Sequence, residues 1–253
     1  MIKAITFDLW DTVFINDSDE PKRTAAGRLS KPLERRQLLK KYLDRYETVS
    51  SETVTAVYDA VDAAFKKVWY EEHNTWQVRE RLELVLTGLK RRLPDDELNE
   101  LVRLHEEMEL EFRPDFAPGV HKAVQSLHER YKLAVISDTI FSPGRTLRKI
   151  LEGEGLLKYF DVFIFSDEFG RSKPEPALFQ AACKDLGVEY GELVHIGDRE
   201  HNDILGPQKL GIQSILCKAV LDRGRGHTRA AAVFEKYEDL PAIIENLNSR
   251  GSS

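Results

Sequence analysis

Five short apolar runs, at residues 2–7, 133–136, 162–165, 193–196 and 213–216, constrain this chain more than any other feature. Each is too short for a buried helix and is bounded by polar or turn-forming residues, the signature of a buried strand. The last four alternate with helical patterns of ordinary length. Such alternation produces an α/β fold with a doubly wound parallel sheet and helices on both faces. The expected crossover helices cover residues 143–151, 174–186 and 203–210, with Pro174 suited to the first turn of the second. The first run ends in Asp8, and a turn begins at once with Asp11 and Thr12. A carboxylate at the carboxyl end of a buried strand lies where open α/β sheets bind their ligands.

Between the first and second strands the pattern changes. Residues 33–112 carry no strand signal. Val54, Val57, Tyr58, Val61, Phe65 and Val68 follow helical spacing, as do Val78, Leu82, Val85, Leu86 and Leu89, and Leu98, Leu101, Val102, His105, Met108 and Phe112. Pro94-Asp95-Asp96-Glu97 reads as a helix start with acids in its first turn. With residues 33–46 these make about four helices, enough for a small bundle. The expected organisation is an α/β core from residues 1–15 and 115–253, with a helical domain, 16–114, inserted after the first strand. Two junctions flank the insert. Residues 12–30 are polar, and their Arg23 and Arg28, with Lys31 just beyond, read as a solvated basic loop. Residues 113–119 are a Pro/Gly stretch that stops one helix before another begins. Residues 249–253 read as a frayed tail.

Composition excludes several function classes. Net charge is −6 and pI about 5.7, which argues against nucleic acid as a partner, because phosphate backbones recruit basic domains. Cys183 and Cys217 form no metal or disulfide framework and read as reduced thiols. No apolar stretch reaches the length of a membrane span, and Asp8 interrupts the first apolar run, so no secretory signal is expected. These features lead to an expected cytoplasmic location and a small-molecule substrate.

Four groups follow strand ends. Asp8 follows the first strand; Ser137, with Asp138 and Thr139, the second; Lys173, within Gly170-Arg171-Ser172-Lys173-Pro174, the third; and Gly197-Asp198, with Asp203 beyond, the fourth. In a parallel sheet these ends share one edge. Clustered carboxylates repel unless a hard cation joins them, and Mg²⁺ takes such oxygen ligands. An aspartate kept ionised beside a metal and a lysine can act as a nucleophile. Lysine and a hydroxyl can hold phosphoryl oxygens as charge builds in the transition state.

In order and spacing these motifs resemble the haloacid dehalogenase-like superfamily of hydrolases, a group dominated by phosphatases. The first motif is Asp8-Leu9-Trp10-Asp11-Thr12, the second Ser137, the third Lys173 before Pro174, and the fourth Gly197-Asp198 with Asp203 five residues on. Together they span nearly the whole chain, and the helical insert is similar to that family's cap. The resemblance implies a Rossmann-like core and a Mg²⁺-dependent phosphatase acting on a small phosphorylated metabolite. It implies Asp8 as nucleophile and metal ligand, and the Trp10 backbone carbonyl and Asp198 as further ligands. Asp203 would support the metal from behind. Ser137 and Lys173 would bind the transferring group, and Asp138 is an expected substrate contact.

One position departs from the pattern. Family phosphatases carry a second aspartate where this chain has Trp10, to protonate the leaving oxygen and activate water. Indole does neither, and losing general acid–base help costs about 10²- to 10⁴-fold in rate. Asp11, where the family usually has glycine, is one residue off and on a regular strand would face away unless the turn re-aims it. The family's dehalogenases resemble this chain in having a non-acid there, but typically lack the pair kept here as Gly197-Asp198. Phosphonate hydrolases use a cap lysine, for which Lys66 and Lys67 are candidates. The rival readings are therefore a 2-haloacid dehalogenase-type hydrolase and a binding or regulatory protein on the same scaffold.

Plainer roles are expected elsewhere. His195, inside an apolar run, reads as a hydrogen-bonded core histidine, and His201 has no assigned role. Tyr58, Phe65 and Trp69 read as cap core. Thr75-Trp76 reads as a cap turn that either packs or faces substrate, and Asp203 as a helix N-cap as well as a supporting acid.

Overall fold

The computed structural model describes residues 1–224 and 227–250. Among these residues six strands form one parallel sheet: β1 Ala4–Phe7, β2 Lys132–Ser137, β3 Val162–Phe165, β4 Leu193–Gly197, β5 Gln213–Cys217 and β6 Ala232–Phe234, in the order β3-β2-β1-β4-β5-β6. The doubly wound sheet expected from strand–helix alternation is present. Its order reverses beside β1, and the crevice outside the carboxyl ends at such a reversal is the usual ligand site. Phe7 pairs with Val135 on one side and Ile196 on the other, so Asp8, Ser137 and Asp198 emerge together at that edge.

Both faces of the sheet are covered. Ile5, Phe7, Val135 and Ile196 pack into one core cluster, while Ala4, Ala134 and Ile136 pack with Leu178, Phe179 and Leu186 in another. A strand buried on both faces needs a continuous apolar run, which is why these segments stand out in the sequence.

Helices α1 Glu20–Ala25, α2 Lys31–Leu43, α3 Ser51–Glu72, α4 Val78–Gly88, α5 Asp95–Glu106 and the short α6 Met108–Glu111 lie between β1 and β2. After them come α7 Val120–His128, α8 Gly144–Gly153, α9 Ser166–Phe169, α10 Pro176–Leu186, α11 Gly206–Gln208 and α12 Leu240–Arg250. Helices α2 to α5 bury their own core, in which Leu39, Leu43, Val54, Tyr58, Leu82 and Leu101 meet. Helix α3 starts where the Ser50 Oγ accepts the Thr53 N–H at 3.1 Å. Helix α5 starts after Pro94 with Asp95, Asp96 and Glu97 at its positive end. No helix among the described residues is long and apolar enough to cross a membrane.

Several local expectations are corrected. Residues 12–30 are not a solvated loop: they contain α1, and Arg23 and Lys31 are buried. Lys31 Nζ meets Asp19 at 2.8 Å and Glu109 at 3.0 Å, and Arg23 pairs with Glu34. Acids far apart in sequence supply the partners that water would otherwise supply; only Arg28 stays exposed. Helix α10 begins at Pro176 rather than Pro174, because residues 172–175 form a turn closed by the Glu175 N–H on the Ser172 carbonyl at 3.1 Å. Residues 203–210 are not one helix. Glu200–Leu205 is a π-helical turn and α11 is a single turn. Strand β6 escapes the sequence pattern because it is three residues long with Val233 exposed. Of the expected frayed tail, Ser249 and Arg250 complete α12, and 251–253 lie outside the described residues.

Candidate active site

Asp8, one residue beyond β1, is 6% exposed and donates its N–H to the Ile196 carbonyl at 2.8 Å, which locks it against β4. Lys173 arrives from the turn before α10. Its Nζ lies 2.8 Å from Asp8 Oδ1 and 2.6 Å from Asp203 Oδ1. Asp203 is fully buried, and its second oxygen accepts the Arg199 N–H at 2.9 Å. It therefore closes its own turn and is not the N-cap of a helix. Its Oδ1 also accepts from His195 Nε2 at 3.2 Å, and a carboxylate only accepts. That fixes His195 Nδ1 as acceptor of the Thr6 hydroxyl at 2.8 Å. His195 is thus the hydrogen-bonded core residue expected. Gly197 is required here: a Cβ on it would lie 2.3 Å from Asp203 Cγ.

Asp8, Asp198 and Asp203 each place one oxygen within 4.8 Å of the others. Such a set opposes ionisation. Burial, then the charges of Asp203 and Asp8, push Asp198 up to about 7. Burial also raises Asp8, against the pull of Lys173. Burial opposes the charge on Asp203 as well, but Lys173 and His195 hold its carboxyl below the usual range. Burial likewise works against the Lys173 ammonium; Asp203, Asp8 and Asp138 more than offset it, and it stays charged. Asp198 Oδ1 is buried with no hydrogen-bond partner among the described residues. An all-oxygen donor set with one orphaned carboxylate oxygen fits a hard divalent cation such as Mg²⁺.

The remaining predicted residues lie at the same edge. Ser137 ends β2, fully buried, with no partner for its Oγ among the described residues. Asp138 Oδ1 accepts the Lys173 N–H at 2.9 Å, and burial pushes its carboxyl up to about 6. Asp8, Trp10, Asp11, Asp138, Lys173 and Arg199 line one cavity of about 210 Å³. Asp198 opens instead onto a neighbouring cavity, which shares Arg199 and Asn202 with the first. Trp10 packs edge-on against Phe14, with ring centroids 5.4 Å apart. Asp11 has φ +54°, a left-handed conformation that aspartate tolerates and glycine adopts freely. That turn does re-aim it: its Oδ2 meets Arg223 Nη2 at 2.9 Å, and the same guanidinium meets Asp198 Oδ2 at 2.5 Å. Thr75 and Trp76 line a separate cavity beside Thr139 and Pro143, not the one at Asp8. Tyr58, Phe65 and Trp69 are buried as expected, although Trp69 also borders the Asp8 cavity.

Sequence reasoning missed Arg199 and Arg223. Arg199 directly follows Gly197-Asp198, so adjacency was an available signal. Arg223 reaches the site from the segment after β5, and nothing local marks it.

A family model described as haloacid dehalogenase-like hydrolase matches residues 2–211. The chain belongs to the haloacid dehalogenase-like hydrolases. This hydrolase is 33% identical over 135 residues to a glyceraldehyde 3-phosphate phosphatase of Pyrococcus abyssi, covering 52% of this chain and 56% of that one. It is 30% identical over 164 residues to the pyrophosphatase PpaX of Halalkalibacterium halodurans, covering 63% and 74%. The chain thus spans little more than half the length of the first of these relatives. In fold it is similar to a 2-haloacid dehalogenase from Pseudomonas syringae pv. Tomato DC3000, with TM-score 0.68, 21% identity, and coverage of 98% of this chain and 100% of that one. It is also similar to a HAD phosphatase from Thermococcus onnurineus, with TM-score 0.64, 23% identity and coverage of 96% and 98%.

Proposed function

We propose that this hydrolase is a cytoplasmic, Mg²⁺-dependent phosphatase acting on a small phosphorylated metabolite through an aspartyl-phosphate on Asp8. The observation that carries the reading is the buried Lys173 bridge between Asp8 and Asp203, with Asp198 alongside. The names of the two relatives, both enzymes of phosphorylated or pyrophosphoryl compounds, support the same class. Asp8, the Trp10 carbonyl and Asp198 would hold the metal, with Asp203 behind them; when bound, it neutralises charge on the transferring group.

In this reading the Asp8 oxygen attacks phosphorus and the bond to the leaving oxygen breaks. Water then hydrolyses the acyl phosphate, releasing phosphate and regenerating Asp8. Lys173 keeps Asp8 ionised and, with the partnerless Ser137 hydroxyl, holds phosphoryl oxygens. Asp138 fixes the Lys173 backbone and meets the substrate. The helical unit 16–114 acts as a cap that closes over the site and excludes water during transfer.

Trp10 shapes the substrate class. With no acid at that position, leaving groups that need little protonation are favoured. Acyl or aryl phosphates should turn over about 10²-fold faster than alkyl phosphates or more. The test is a screen of acyl phosphates, alkyl phosphates and 2-haloacids, with and without chelator, beside an Asp8→Asn control. Chelator-sensitive phosphate release that Asp8→Asn abolishes is the expected result. Equal turnover of acyl and alkyl esters would remove the role given to Trp10. Chelator-insensitive halide release would replace the phosphatase reading with the dehalogenase one that Trp10 also suits. Metal binding without turnover would indicate a binding protein.

A further inference from the structure

We propose that Arg35 is an anion subsite, and that the substrate carries a carboxylate close to its phosphoryl group. The inference deepens the phosphatase reading and rests on it for the identity of the second group. Arg35 lies on α2, is 4% exposed, and lines the same cavity as Asp8 and Lys173. Its guanidinium sits 3.6 Å above the centroid of the Phe141 ring. A guanidinium stacked on a ring keeps its in-plane N–H edge free for a bidentate acceptor.

No acid among the described residues takes that edge. Among the described residues no carboxylate lies within 4.0 Å of Arg35, and its buried Nε has no hydrogen-bond partner. Glu109 attracts it most strongly, but Glu109 is engaged by Lys31 at 3.0 Å and by the Ser142 hydroxyl. The other cap arginine on this ring shows that stacking does not require an unpaired charge. Arg81 lies 4.0 Å from the Phe141 centroid, yet it meets Asp62 at 2.7 Å and the Ile140 carbonyl at 2.6 Å. Lys173, by contrast, already meets two carboxylates, Asp8 and Asp203. Arg35 is therefore a buried cation facing a ligand cavity with its counter-charge missing, and burial disfavours its charged form until an anion arrives.

The cavity decides the scale of the ligand. At about 210 Å³ it is smaller than the roughly 300 Å³ at which drug-sized sites begin. The second anion must then be only a few bonds from the phosphoryl group. A carboxylate matches the planar fork of the guanidinium and fits this space.

The test measures binding to the full-length Asp8→Asn protein by calorimetry in Mg²⁺. The probes are phosphoglycolate and ethyl phosphate, which are similar in size and differ in the carboxylate. Phosphoglycolate is expected to bind about 30-fold tighter or more, the range seen when one partner of a buried charge pair is removed. Adding Arg35→Gln should reduce that ratio to about 3-fold or less, with Arg35→Lys between. Lys41→Gln, on the exposed side of the same helix, should leave the ratio intact. Equal affinity for the two probes overturns the subsite whether or not the Arg35 variants fold. A ratio unchanged in Arg35→Gln, or an equal loss for both probes, also overturns it. Carboxylate-dependent binding in a protein whose wild type hydrolyses no acyl, aryl or alkyl phosphate would leave the subsite standing and remove the phosphatase reading.

Discussion

Gly197 shows how tightly single residues are held at this site. A methyl group there would overlap the Asp203 carboxylate, whose atoms lie 2.3 to 2.6 Å from the ideal Cβ position. Gly197→Ala is therefore expected to destabilise the fold by about 1–3 kcal/mol and to lower activity by displacing Asp203 from Lys173. Urea denaturation measures the first effect, and wild-type stability in the variant would contradict it. Trp10→Asp tests the role given to Trp10: the ratio of acyl to alkyl phosphate turnover should narrow by about tenfold or more. At this scale Asp8, Ser137, Asp138, Lys173 and Asp198 were legible because each lies at the carboxyl end of a strand or in the connection that follows one. Arg35 was not. On α2 it occupies one helical position among several basic residues, and only the acids that fail to reach it distinguish it from Arg36 or Lys40, which meet Asp59 and Asp44.

Among the elements, α5 carries a pH-sensitive group. His105 is fully buried, donates from Nδ1 to the Leu101 carbonyl at 2.8 Å, and has no partner at Nε2 among the described residues. Burial, with Arg35 adding repulsion, lowers its pKa to about 3. The unfolded chain takes up this proton near pH 6.5, whereas the folded chain refuses it until about pH 3. The stability contributed by neutral His105 is thus complete above pH 6.5 and declines as pH falls toward 3, by on the order of 5 kcal/mol at most. His105→Phe should flatten the fall in urea midpoint between pH 7 and pH 4; an unchanged slope would exclude His105 as its source. Element boundaries were legible where the signal is local, as at Pro94 with its following acids. They were not legible at α10 or in the π-helical turn, where Lys173 and Asp203 are drawn to each other from separate segments.

The whole molecule brings three buried acids to one edge, and a bound divalent ion should stabilise it. Mg²⁺ at about 100 times its dissociation constant adds about 2.7 kcal/mol. For a chain of this size that raises the melting temperature by roughly 5–10 °C. Calorimetric scans with Mg²⁺ and with chelator measure the shift, and Asp198→Asn should abolish most of it. A shift that survives in Asp198→Asn would place the ion elsewhere.

The doubly wound sheet, the inserted helices and the order of the acidic and basic motifs could be read from the chain alone. Strand burial on two faces, helical periodicity and the turn after each strand all leave local marks. Tertiary structure alone decided which charges find partners. The Arg223 tie between Asp11 and Asp198, the burial of Lys31 among distant acids and the unanswered guanidinium of Arg35 each depend on segments far apart in sequence. A side chain's charge is a local property, but the group that neutralises it is set by where the fold brings other residues to rest.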